Sequence, residues 1–133
     1  MTFEQIRSVV IGRLVSWAGI PADNIDFPNA PVPFDPSGKD IWAALTNLPG
    51  MSSTAEIGGR PCYRRTGVMM VQLYVPRQTG TIKITRAADT LAEHFEGYSE
   101  AGVEFYAASV TASGSNSDWY QITVSVPYTT TGV

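Results

Sequence analysis

The chain switches its hydrophobic period once between residues 68 and 95, and that switch limits the fold more than any other feature of the sequence. Along Val68-Met69-Met70-Val71-Gln72-Leu73-Tyr74-Val75, alternate residues divide into Met69, Val71, Leu73 and Val75 on one side and Val68, Met70, Gln72 and Tyr74 on the other. Period two is the mark of a strand, and the first set reads as a core face. The second set is mixed, which suits a sheet surface that meets something other than bulk water. After Pro76-Arg77-Gln78-Thr79-Gly80, the residues Ile84, Ala88, Leu91, Ala92 and Phe95 recur at helical spacing, and Gly97 ends the run. A strand joined over a tight loop to an amphipathic helix buries one face of each, so this unit predicts the central layer contact.

The remaining segments are read around it. Thr2-Phe3-Glu4-Gln5 has the form of a capping box, and Phe3, Ile6, Val10, Leu14 and Trp17 keep helical spacing up to Gly19. Residues 20–40 contain five prolines and read as an extended, flexible connection, with Ile25, Phe27, Val32 and Phe34 as apolar beads laid on the domain. Ile41 to Leu48 fits a strand with Trp42, Ala44, Thr46 and Leu48 on one side, a short helical turn being the competing reading. Met51 to Ile57, Gly58-Gly59 and Arg60 onward predict a hairpin with a tight glycine turn. Val103 to Ala112 is a further β-type run, followed by a polar turn over Ser113 to Ser117. In the last strand Tyr120, Ile122, Val124, Val126 and Tyr128 alternate with Trp119, Gln121, Thr123 and Ser125, and residues 129–133 read as a frayed tail. The expectation is one α+β domain over residues 1–133, with a mainly antiparallel sheet of about five strands and two helices packed on one face.

The 133 residues suffice for a core without metal or disulfides. Cys62 is the only cysteine and reads as a packing residue; His94, the only histidine, reads as a polar-face residue of the second helix. No run reaches the ~18 apolar residues of a membrane span, and Glu4, Arg7 and Arg13 interrupt what would be a signal-peptide core, so the chain reads as soluble, without a membrane partner. We find no phosphate-cradling loop, no zinc spacing and no nucleophile, base and acid set, so neither an enzyme nor a cofactor is expected.

Charge is more informative in its order than in its sum of −3. Between residues 60 and 86 stand Arg60, Arg64, Arg65, Arg77, Lys83 and Arg86 with no acidic residue. From residue 87 on stand Asp89, Glu93, Glu96, Glu100, Glu104 and Asp118 with no Lys or Arg. Such blocks either neutralise each other within one fold or form complementary faces between copies. On the second helix they oppose the helix dipole, with Lys83 and Arg86 near its start and Glu93 and Glu96 near its end. Asp89 and Glu93 add a like-charge pair one turn apart.

Several of these segments together resemble a known family. A helix carrying Trp17, then Asp23-Asn24-Ile25-Asp26-Phe27, Trp42 opening a strand, Arg65-Thr66-Gly67, Val71-Gln72-Leu73-Tyr74-Val75-Pro76, Gly80, and Ala88-Asp89-Thr90-Leu91 with Phe95 follow one another as in the tail terminator proteins of long-tailed bacteriophages. The similarity is to the minor tail protein U type and covers nearly the whole chain. It implies a structural virion protein that forms a ring, expected to be six-membered, at the head-proximal end of the tail. The ring would cap the tail tube, stop its polymerisation and offer a surface to head-completion proteins, after assembly in the host cytoplasm. The implied partners are copies of itself, the tube protein and a neck protein, with no specific nucleic acid. Interface roles fall on Arg60, Arg64, Arg65, Gln72, Tyr74, Arg77, Lys83, Arg86, Asp89, Glu93 and Glu96. A head-tail connector, a tube subunit, or a small nucleic-acid- or protein-binding module are the alternatives.

Overall fold

The alternating segments become strands and the two amphipathic segments become helices. The computed structural model describes residues 2–28, 34–54, 63–115 and 118–132. In chain order the elements are α1 (Phe3–Val15), a 3-10 turn (Ala22–Asn24), β1 (Ile25–Asp26), β2 (Trp42–Thr54) and β3 (Tyr63–Pro76). There follow α2 (Ile82–Phe95), β4 (Ser99–Glu100), β5 (Val103–Phe105), β6 (Ser109–Ser115) and β7 (Trp119–Gly132). The strands form one sheet in the order β1-β2-β3-β7-β5-β4, with β6 pairing with β7 beside β5. Only β1 runs parallel to its neighbour; every other pairing is antiparallel. The α+β architecture expected from the sequence is therefore present, with seven strands among the described residues where about five were expected.

The helices cover one face of this sheet. Ala43 and Leu45 of β2, Met69, Val71, Leu73 and Val75 of β3, Val103 and Phe105 of β5, and Ile122, Val124, Val126 and Tyr128 of β7 are buried with the apolar stripes of both helices. In α2 the stripe is Ile84, Ala87, Ala88, Leu91 and Phe95. In α1 it is Ile6, Val9, Val10 and Leu14, whereas Phe3 is exposed. The capping box forms as the sequence requires: Gln5 N–H donates to Thr2 Oγ1 at 3.1 Å, and Thr2 N–H donates to Gln5 Oε1 at 2.7 Å. Gly97, at φ +73°, takes the left-handed conformation that follows the end of α2.

Several expectations about the strands and loops change. First, the two β runs expected on either side of residue 50 are one strand, β2, with a register shift between Pro49 and Ser52. A bulge absorbs the proline that the sequence presents as a break. The glycine turn expected at Gly58-Gly59 lies outside the described residues, as does Cys62. Second, the run from Val103 to Ala112 is divided into β5 and β6. The cause lies opposite, at Pro127. Its carbonyl accepts from Tyr106 N–H at 2.9 Å, so the side of β7 facing that strand is the side on which proline has no N–H to give. The ladder breaks there, and Ala108 N–H turns to Glu96 Oε2 at 3.0 Å instead.

Third, residues 129–132 are not a frayed tail. β7 continues to Gly132, pairing with β3 through Tyr63↔Gly132 and with β5 through Val103↔Thr130, and Thr130 is fully buried. Fourth, part of the proline-rich connection is ordered into the sheet: Ile25 and Asp26 pair with Ala43 and Ala44, and Ile25 is buried.

The two helices are also clasped at their C-terminal ends. Arg13 of α1 donates from Nε at 2.9 Å and from Nη2 at 2.5 Å to the carbonyl of His94, and its guanidinium lies 3.6 Å from the Tyr98 ring centre. In return His94 Nε2 donates to Arg13 O at 2.8 Å and lies 2.9 Å from Ser16 Oγ. Each helix thereby satisfies a terminal carbonyl of the other. The dipole of α2, unsupported by its own Glu93 and Glu96, receives its cation from α1. His94 is accordingly a half-buried bridge rather than a free polar-face residue. After α1, the indole of Trp17 folds under Gly19 and donates to Thr90 Oγ1 at 3.1 Å.

Two glycines predict opposite effects. A Cβ at Gly19 would sit 2.5 Å from the buried Trp17 ring, so Gly19→Ala should lower stability by about 1–3 kcal/mol. Gly12 is inside α1 with nothing within 4 Å of an added Cβ, so Gly12→Ala should raise it by about 0.5–1 kcal/mol. Urea unfolding measures both. Arg13→Met keeps the aliphatic stem but removes both bonds to His94 O, and should cost about 1–3 kcal/mol in the same measurement.

Candidate functional site

Among the described residues, no helix covers the sheet face turned away from α1 and α2. Strand alternation sends Trp42, Ala44 and Thr46 of β2, Val68, Met70, Gln72 and Tyr74 of β3, and Trp119, Gln121, Thr123 and Ser125 of β7 to that face. Register aligns them in rows: Trp42, Tyr74 and Gln121; Ala44, Gln72 and Thr123; Thr46, Met70 and Ser125. No row holds a charged side chain.

One end of this face is aromatic. The Trp42 ring stacks on Tyr74 with centres 4.0 Å apart and planes 8° apart, meets Trp119 edge-on at 5.8 Å, and is flanked by Phe34 at 5.1 Å. These contacts shield the rings from water without a helix over them, and each ring stays half-buried. Tyr74 Oη donates to Gln72 Oε1 at 3.0 Å. Burial, and after it the charge of Asp26, raises the Tyr74 pKa, so the phenol is neutral and a donor at ordinary pH. Trp42 Nε1 is buried with no hydrogen-bond partner among the described residues, which costs about 1–3 kcal/mol. Of this cluster only Tyr74 was expected at an interface; Trp42, Trp119 and Phe34 were read as strand or loop residues, and their grouping was not foreseen. Its signal was present in Trp42 and Trp119, both of which open strands adjacent to the end of β3.

The charged residues expected at interfaces are dispersed. Gln72 and Tyr74 lie together on the open face, whereas Lys83, Arg86, Asp89 and Glu93 are exposed on α2, across the sheet from them. Arg65 lies near one end of β3 and Arg77 just beyond the other, roughly 40 Å apart at a strand's rise per residue. Arg65 lies 4.5 Å from the Phe3 ring centre, at the end of the sheet where Glu104 and Thr129 pair. Lys83 is 3.9 Å from Asp40, which the proline-rich connection supplies. Glu96 is engaged at the β5–β6 break. Arg60 lies outside the described residues, and Arg64 is placed only by its backbone, paired with Ser53 and Thr131. The basic block of the sequence is therefore split between the two ends of the sheet rather than gathered into one face.

Two shallow clefts border α2. One, about 440 Å³, lies between Gly19, Ile41, Ile82, Lys83 and Arg86; the other, about 470 Å³, lies between Arg13, Trp17, Glu93 and His94. A third, about 450 Å³, lies at the outer edge of β2 between Arg7, Ile11, Pro28, Leu45, Thr46 and Asn47. Among the described residues there is no group of three or more His, Cys, Asp or Glu placed to hold a metal ion. No helix among them is long and apolar enough to cross a membrane. What the geometry offers is neutral hydrogen-bonding surface, aromatic surface and strand edges.

No curated protein matches the chain. A solved structure superposes on 100% of this chain and 98% of its own with a TM-score of 0.74 at 17% identity, which shows a shared fold. The family model for the phage tail terminator protein matches residues 5–128, and the chain thus belongs to the phage tail terminator protein family, structural components of the phage tail.

Proposed function

We propose that the chain forms a closed ring on the end of the phage tail tube, halts tube polymerisation there, and offers its far side to a head-completion protein. The role is structural, without catalysis, at the head-proximal end of the tail. The observation that carries this reading is the family match over residues 5–128. The subunit's shape supports it. With the helical layer placed outward, a ring of such subunits has Ala44, Gln72, Thr46, Met70 and Ser125 toward its interior. These side chains are small or neutral.

The ends of the strands then become the two rims of the ring, and they differ. One rim carries the Trp42, Tyr74 and Trp119 cluster with Arg77 and Lys83, both exposed. The other carries the β4–β5 hairpin with Glu100 and Glu104, also exposed. A cap that meets the tube on one side and a different protein on the other needs two unlike rims.

The test is tube assembly from purified tube protein, followed by electron microscopy of tube lengths. Added at a few copies per tube, the chain should stop elongation. Charge reversal of one rim, Arg77→Glu with Lys83→Glu or Glu100→Lys with Glu104→Lys, should weaken capping about tenfold while the other spares it and blocks head joining. Incorporation of the chain along long tubes would make it a tube subunit, and unchanged tube lengths would remove the terminator reading.

A further inference from the structure

The two lateral edges of the sheet are open in a way that fits them to each other. On one side, β5 and the short β4 occupy the edge near the C-terminal half of β7, and Glu100 and Glu104 guard it with charge. Beyond the Pro127 break the outer edge belongs to β6, and among the described residues no strand pairs with it. Its residues Ser109, Val110, Thr111 and Ala112 are all exposed, uncharged and free of proline, and the register shift falls only after them, between Ala112 and Gly114. Soluble proteins ordinarily protect such an edge with lysine, proline, a bulge or a covering loop, because its unpaired N–H and C=O groups template another strand. None of these devices acts on residues 109–112.

The opposite edge belongs to β2. β1 pairs with it only at Ala43 and Ala44, and from Leu45 onward no described strand pairs with its outer side. This edge too is uncharged from Leu45 to Thr54, and from Leu45 to Leu48 it is also free of proline and bulge, the register shift falling after Pro49. Beside it, on the helical side of the sheet, lies the cleft of about 450 Å³ floored by Ile11, Pro28 and Leu45. Val110 stands on that same side, because its register partner is the core residue Val124, yet it is 53% exposed. A knob and a recess thus lie on the same face of opposite edges.

Strand direction completes the match. Through the antiparallel pairings β2–β3, β3–β7 and β7–β6, β6 runs opposite to β2. A second copy placed edge to edge with its helices on the same side therefore brings its β6 antiparallel to β2 of the first. We propose that neighbouring copies join by this β6-to-β2 pairing, with Val110 of one copy seated in the Ile11, Pro28 and Leu45 cleft of the next. Such a contact is heterologous, joining two different patches, and closes into a ring when the rotation per copy permits. The proposal rests on the ring-forming reading above and specifies its interface.

The test is chemical cross-linking of the full chain carrying Cys62→Ser, with negative-stain images of the same samples, free and on tube ends. Val110→Cys combined with Ile11→Cys should give a ladder of covalent multimers with a short bis-maleimide, and neither single variant should. Val110→Lys should reduce the assembled fraction about tenfold or more with an unchanged thermal melt, since position 110 is outside the core. Rings without a ladder would overturn the edge pairing and leave the ring reading standing. A covalent dimer from Val110→Cys alone would overturn it in favour of β6 pairing with its own copy. The absence of both rings and ladder would overturn both readings.

Discussion

Everything in this fold depends on β7 being paired along both of its edges. On one side it matches β3 residue for residue from Val75↔Tyr120 to Tyr63↔Gly132; on the other it carries β6 and then β5. Because side chains alternate with period two, a slip of one residue in this strand would send Ile122, Val124, Val126 and Tyr128 to the open face and empty the core. The aromatic packing fixes the register further. Phe95 meets Phe105 at 5.1 Å, Phe105 meets Tyr128 at 6.0 Å, and Tyr128 Oη donates to Asn47 Oδ1 at 2.8 Å, so α2, β5, β7 and β2 are tied at one place.

From that constraint follows an asymmetric subunit. Both helices lie on one side, held together by the exchange between Arg13 and His94, and the other side keeps a neutral face with an aromatic end. The interruption at Pro127 matters for more than the strand it breaks. It separates an edge guarded by Glu100 and Glu104 from an edge that is bare over residues 109–112, and so confines the sticky edge to one short segment. In the ring proposed above, a short bare edge between a proline-induced break and a bulge would let copies pair without leaving the whole side of the sheet open to further strands.

Much of the architecture was legible because it rests on local periodicity. The alternation at residues 68–75 and 120–128, the helical stripe from Ile84 to Phe95 and the Thr2 capping box are each readable within a dozen residues, and each folds as read. What escaped depends on residues far apart in sequence. The tail at 129–132 looks polar and unstructured, and it is a strand because β3 and β5 flank it. Pro127 divides a run some twenty residues earlier, and Arg13 reaches His94 across 81 positions. The charge blocks were visible but not where the fold would put them: a 14-residue strand carries Arg65 away from Arg77, and Asp40 arrives beside Lys83 from the proline-rich connection. Gln72 and Tyr74 were read as a mixed face correctly, whereas their partners Trp42 and Trp119 become a cluster only once three strands are in register.

Hydrogen exchange read by mass spectrometry, on the chain alone and on the chain bound to tube ends, tests the central claim most directly. In the free chain the amides of β3 and β7 should exchange slowest, through residues 129–132, while the outward amides of residues 109–112 and of β2 beyond Ala44 exchange fast. On tube ends those two edges should become protected together, with little change on the outer side of α2. Fast exchange across 129–132 in the free chain would contradict the doubly paired β7. Protection that appears on α2 while both edges stay fast would contradict assembly through the sheet.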